Sequence, residues 1–166
     1  MDATKKCMFS NKPADTAEHV IPRWLQRKFN LQDETYTLPN GTFLKYSNAR
    51  APALEAENSE FGKIEDKIAS GKASDEEIFL WALKIHVGLI FISSNLKFDI
   101  RDPKSPKFWE VDAFGRDIWL FQQLYRVWKN GGRTTPSPFG TVIKIKSLTP
   151  INEFDFIHNL QARTLF

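Results

Sequence analysis

Cysteine is nearly absent. Cys7 is the single one in 166 residues, so neither an intrachain disulfide nor a thiolate-rich metal site can form. Long apolar runs are missing too. The best stretch, Val87 to Ile92, is interrupted by Gly88, stops at Ser93-Ser94-Asn95, and is far too short to span a bilayer. The first residues, Met1 to Lys6, lead into no apolar segment, so no secretory signal is expected. There is no Walker loop, no Gly-x-Gly-x-x-Gly, no Gly-x-Ser-x-Gly and no His-x-x-x-His pair. Neither charge sign dominates. With 23 basic against 20 acidic residues and a net charge of +3, nucleic acid is a permitted partner, but a large electropositive face is not expected. These absences describe a soluble cytoplasmic protein with no membrane partner.

What is present is core material. The chain is 42% apolar and 13% aromatic, with 14 Phe and five Trp, which excludes disorder as an account of the whole. The length suits one compact unit. Pro22 suits the first position of a short helix, Pro22 to Phe29. Thr35–Leu38 and Thr42–Tyr46 flank Pro39-Asn40-Gly41 and predict a hairpin. A helical period runs from about Leu54 through Phe61, Ile64 and Ile68 to a stop at Gly71. Ser74-Asp75-Glu76-Glu77 opens a second helix to about Ile92, apolar nearly all round and so expected to be central and buried. A third is expected from about Asp112 to Lys129, with Trp119, Leu120, Leu124 and Trp128 facing inward. Phe139–Lys146 alternates like a strand, and Glu153–Ile157 is a candidate partner for it. No repeat and no low-complexity tract is present.

Chemistry concentrates at Glu18-His19, followed by Val20-Ile21-Pro22. If the pair ends a strand, the two side chains point to opposite faces. One could then hold a hard divalent cation while the other handles a proton near neutrality. His86, inside the apolar central helix, reads as a hydrogen-bonded core histidine, and His158 has no evident partner.

Two segments in this order, Cys7-Met8-Phe9-Ser10 with Glu18-His19-Val20-Ile21-Pro22, then Leu54-Glu55-Ala56-Glu57-Asn58 continuing to Phe61-Gly62-Lys63-Ile64-Glu65-Asp66, resemble HNH (ββα-metal) endonucleases. The likeness covers roughly residues 7–70. It is closest to the group in which a Cys-x-x-Cys knuckle precedes Glu-His-Val/Ile-Ile-Pro and a second knuckle, Cys-x-x-Cys-Asn, opens a helix. The resemblance implies an α+β protein with an N-terminal HNH-like module, residues 1–72. A mainly helical portion, residues 73–166, packs on it and ends in a short antiparallel β element.

The resemblance further implies hydrolysis of DNA phosphodiester bonds, with His19 as general base and Glu18 and Asn58 holding one Mg²⁺ or Mn²⁺. Glu57, Glu65 and Asp66 are candidates for a further ligand, although a solvated helix face is the simpler account of each. Arg23, Arg27 and Lys28 after the histidine, with Lys45 and Arg50 near the hairpin, are candidate phosphate contacts. The four zinc-ligand positions of the family hold Cys7, Ser10, Leu54 and Glu57, which is not a set of four good N/S donors. No structural zinc is therefore expected, Cys7 should behave as a small buried hydrophobe, and the rest of the fold must replace the metal. The same losses allow an alternative: an inert HNH-fold relative acting through a protein or nucleic-acid partner, for example in conflict between phage and host. A homodimer through the helical half, with arms set by symmetry, is also open.

Overall fold

The computed structural model describes residues 6–94, 96–107 and 111–133, together with Val142. Along them run β1 (Thr16–His19), α1 (Arg23–Lys28), β2 (Thr35–Thr37), β3 (Phe43–Lys45), β4 (Arg50–Ala53), α2 (Glu55–Ala69), α3 (Asp75–Ser93) and α4 (Gly115–Lys129). Two short 3-10 turns, Tyr46–Asn48 and Val111–Phe114, link them. Helices and two separate two-stranded antiparallel sheets make this a mixed α and β protein. The expected C-terminal strands, Phe139–Lys146 and Glu153–Ile157, lie outside the described residues apart from Val142.

The strand that carries Glu18 and His19 pairs with a segment not anticipated as a strand. β1 and β4 run antiparallel with Glu18 opposite Ala51 and His19 opposite Arg50. The ladder continues where Val20 N–H donates to the Ala49 carbonyl at 2.8 Å. Arg50-Ala51-Pro52-Ala53 has little β propensity, and Pro52 has no N–H for a ladder. Among the described residues β4 has β1 as its one strand neighbour, so its other edge needs no ladder, and the Pro52 carbonyl is used by Met8 N–H at 2.9 Å.

Between the paired strands lie α1 and the hairpin. Pro22 caps α1 with φ of −55°, which its ring enforces, and Gln26 Nε2 donates back to the Ile21 carbonyl at 2.7 Å. β2 and β3 close over Gly41, whose φ of +78° suits glycine. Asn40 Oδ1 accepts from Thr42 Oγ1 at 2.7 Å inside the turn.

The helices follow their sequence signals. Ser74 and Glu77 form a reciprocal capping box at the start of α3, and Gly71 at φ +70° follows the end of α2. α3 is the central helix and packs against β4, α2 and α4. A single buried cluster takes Cys7, Met8 and Phe9 from the N-terminal loop, Val20 and Ala51 from around the β1–β4 ladder, and Leu80, Val87, Phe121 and Tyr125 from the later helices. Phe9 is its aromatic hub, with ring centroids 5.2 Å from Phe61, 5.7 Å from Phe121 and 5.4 Å from Tyr125.

The inward face of α4 differs from expectation. Phe121 and Tyr125 are its buried residues, Leu124 and Trp128 flank them, and Trp119 is 57% exposed. The true stripe, Ile118-Phe121-Tyr125-Trp128, keeps helical spacing. Trp119 lies one residue, about 100° of helix rotation, off that line.

α3 meets the β1 end of the ladder at Gly88, where an added Cβ would stand 2.6 and 2.8 Å from the two Val20 methyls. Val20 and Gly88 are both fully or almost fully buried, so neither side can yield freely. Gly88→Ala should therefore destabilise despite alanine's better helix propensity, by up to about 2 kcal/mol, because an overpacking cost of about 1–3 kcal/mol outweighs a propensity gain of about 1 kcal/mol. Chemical denaturation of the variant against wild type measures this.

Candidate functional site

Glu18 and His19 end β1 and face opposite ways, as strand geometry requires. Glu18 turns inward and is 8% exposed, while His19 is half-buried beside solvent. Their fates diverge from there.

Inward, Glu18 meets an ammonium. Lys84 of α3 is completely buried, and its Nζ lies 2.6 Å from Glu18 Oε1 and 2.9 Å from Glu65 Oε1 of α2. The same Nζ donates to the His19 carbonyl at 2.5 Å and lies 3.3 Å from the Val20 carbonyl. One lysine thus ties together β1, α2 and α3. Gly88, one turn along α3, explains how its backbone comes close enough. Two carboxylates against one ammonium leave a net negative charge. Glu65 responds: burial, reinforced by the Glu18 charge, raises its pKa in spite of the attraction of Lys84.

Outward, His19 lies among cations. Its cross-strand partner is Arg50, and Arg23 opens α1 just beyond β1. Burial first, then the positive charges of Arg50 and Arg23, lower its pKa below the usual histidine range; the nearby Glu18 charge opposes this. The imidazole is therefore neutral at neutral pH, the form that accepts a proton. Arg23 and Arg50 are exposed and present guanidinium groups suited to phosphate oxygens.

The other expected contacts are spread out. Arg27 and Lys28 are exposed in the last turn of α1, with Lys28 over the Phe29 ring at 5.5 Å. Lys45 belongs to the β2–β3 sheet and is paired with Asp33 at 3.1 Å. Asn58 sits in the first turn of α2, half-buried, and its side chain makes no hydrogen bond to any described residue. Asp66 is exposed on α2. His86 approaches Asp117 at 3.8 Å through Nε2, while its Nδ1 is buried without a partner among the described residues.

Glu18 and Asn58 do not fit a resident Mg²⁺ or Mn²⁺ in this arrangement. The carboxylate that would bind the ion is buried and already neutralised by Lys84, and a divalent cation placed there would face an ammonium held 2.6 Å from the same group. Among the described residues no group of three or more His, Cys, Asp or Glu side chains is arranged to hold a metal ion. Glu57, another candidate ligand, is engaged by the Tyr125 hydroxyl at 3.0 Å and Lys129 Nζ at 2.8 Å.

The N-terminal loop is joined to the start of α2 by direct contacts. Cys7 Sγ accepts from Leu54 N–H at 3.2 Å, and Asp15 Oδ1 accepts from Glu55 N–H at 2.9 Å, so the N-terminal loop caps α2. Asp15 N–H donates to the Ala53 carbonyl at 3.1 Å. Tyr125 then bonds Glu57 from α4, and its phenol keeps its proton because burial and that carboxylate push its pKa up. Ser10 Oγ is buried without a partner among the described residues.

No protein-family model matches this chain, and neither the curated proteins nor the solved structures provide a match. Among the described residues no helix is long and apolar enough to cross a membrane.

Lys84 and Tyr125 were not among the anticipated site residues, and Glu65 was anticipated as a further metal ligand or a solvated position, not as a partner of a buried lysine. A lysine at the centre of the otherwise apolar helix Ile78–Ile92 was the available signal for the first, since a buried lysine requires carboxylate or carbonyl partners. Lys84→Met should cost about 3–5 kcal/mol at neutral pH, because it leaves two carboxylates buried without their cation. The pH dependence has a definite sign. A carboxyl whose folded pKa is raised contributes stability below its unfolded value and loses it as pH rises through the folded value. The deficit of Lys84→Met should therefore be smaller at about pH 5 than at about pH 8, as read from melting temperatures at both.

Proposed function

We propose that this chain is an HNH-like protein that grips the phosphodiester backbone of nucleic acid at the end of the β1–β4 ladder and hydrolyses it there, with His19 as general base. The observation that carries this reading is the neutral imidazole of His19 set beside Arg50 and Arg23. The order of elements supports it as well: a strand ending in Glu-His, an antiparallel return strand, then a helix whose first turn carries Asn58.

In this reading a backbone phosphate docks between Arg23 and Arg50, whose guanidinium groups hold its oxygens and offset the charge that grows on them. His19 accepts the proton of the attacking water as its oxygen bonds to phosphorus, the bond from phosphorus to the leaving sugar oxygen breaks, and that oxygen takes a proton from solvent. Such general-base help contributes about 10²–10⁴-fold when geometry and pKa match. Arg27 and Lys28 extend the contact along α1 to neighbouring phosphates. No step is assigned to Glu18, which is committed to Lys84.

That commitment favours a second reading, binding without turnover. Lys84 occupies the carboxylate through which HNH-like chemistry would hold its metal, so the same corner could grip nucleic acid as an inert relative. One assay separates the two: nicking of supercoiled plasmid with Mg²⁺, with Mn²⁺ and with chelator, beside a gel-shift measurement. Cleavage by wild type that is lost in His19→Ala, with melting temperature nearly unchanged, supports hydrolysis. Binding that requires Arg23 and Arg50, without cleavage in any condition, supports the second reading. Neither binding nor cleavage removes both.

Two quantitative outcomes follow. Cleavage should rise with pH as His19 loses its proton and level off below the ordinary histidine range, because its pKa is lowered. Arg50→Ala should weaken binding about equally across sequences and reduce the slope of log affinity against log salt by about 1.

A further inference from the structure

Lys84 sits among four oxygens: Glu18 Oε1, Glu65 Oε1 and the carbonyls of His19 and Val20, at 2.5 to 3.3 Å from its Nζ. All four are hard donors, the kind that suits Ca²⁺, Mg²⁺ or Mn²⁺ more than a soft metal. The side chain is wholly buried, so the ammonium does not exchange with solvent cations. We propose that Lys84 is a built-in cation that fills an oxygen cage otherwise suited to a divalent ion, and that this chain carries its cation covalently rather than recruiting one.

Charge and donor type support the assignment. Two ionised carboxylates would balance a divalent ion, whereas one ammonium leaves a charge uncompensated. An ammonium accepts longer and less regular contacts than a metal, and the 2.9 and 3.3 Å distances are of that kind. The cage also joins three elements, β1, α2 and α3, which gives the cation a structural role independent of any nucleic acid at His19. The inference therefore stands or falls separately from the proposed function.

Removing the lysine should convert the cage into a divalent site. Lys84→Ala is expected to melt below wild type in chelator and to recover part of the loss in Ca²⁺ or Mn²⁺. The recovery should vanish in Lys84→Ala with Glu65→Gln, which lowers the cage to one carboxylate. Wild type should show no melting shift with either ion that depends on Glu18. A Lys84→Ala protein that responds to neither ion overturns the proposal. So does a Mn²⁺-induced stabilisation of wild type that Glu18→Gln abolishes, since it would place a metal where the ammonium is assigned. If Lys84→Ala does not fold in any ion, calorimetric titration of wild type and Glu18→Gln with Mn²⁺ decides alone: Glu18-dependent binding overturns the proposal and its absence supports it.

Discussion

The buried ion cluster of Lys84 with Glu18 and Glu65 is the constraint on which the site depends. A lysine with no exposed surface must satisfy its ammonium inside the protein, and the available acceptors fix where three elements meet. Glu18 is thereby held inward on β1, Glu65 is held on α2, and the carbonyls of His19 and Val20 are turned toward α3. Gly88 admits the close approach that lets the lysine reach them. Replacing such a cluster by apolar residues can be neutral, but removing one member cannot, so the three charged residues are coupled.

A second set of contacts joins the N-terminal loop to the start of α2: Leu54 N–H to Cys7 Sγ, Glu55 N–H to Asp15, and Met8 N–H to Pro52. Phe9 then inserts among Phe61, Phe121 and Tyr125, which brings α4 onto the same loop. Four large aromatic rings bury far more apolar surface than Cys and Ser could, and each aromatic pair adds about 0.5–1.5 kcal/mol beyond burial. Packing at this point thus rests on a helix that lies far away in sequence.

Much of this arrangement was legible in the sequence where local rules decide. The capping box at Ser74, the Asn-Gly hairpin and the Pro22 helix start all follow from backbone chemistry within a few residues, and each lies within one or two residues of its expected place. Contacts distant in sequence were not legible. β4 contains arginine and proline and forms because β1 supplies its partner, so propensity pointed away from it. Glu65 belongs to a helix face that reads as solvated until Lys84, 19 residues later, is brought against it. On α4 the weight of Trp119 shifted the apparent apolar face by one position, whereas packing against Phe9 selected Phe121 and Tyr125.

The alternation of β1 explains why two adjacent residues of similar chemistry serve such different ends. A strand sends successive side chains to opposite faces, so one register places Glu18 against Lys84 and His19 beside Arg50. The inward partner neutralises a carboxylate and orders the backbone. The outward one keeps a proton-accepting imidazole next to exposed guanidinium groups. The two are also linked electrostatically, because the positive charge of Lys84 and the negative charge of Glu18 act on His19 in opposite senses. With Lys84 and Glu18 offsetting one another, burial and the two arginines decide the protonation of His19. The inward cluster therefore fixes the strand that presents His19 and removes its own carboxylate from the balance.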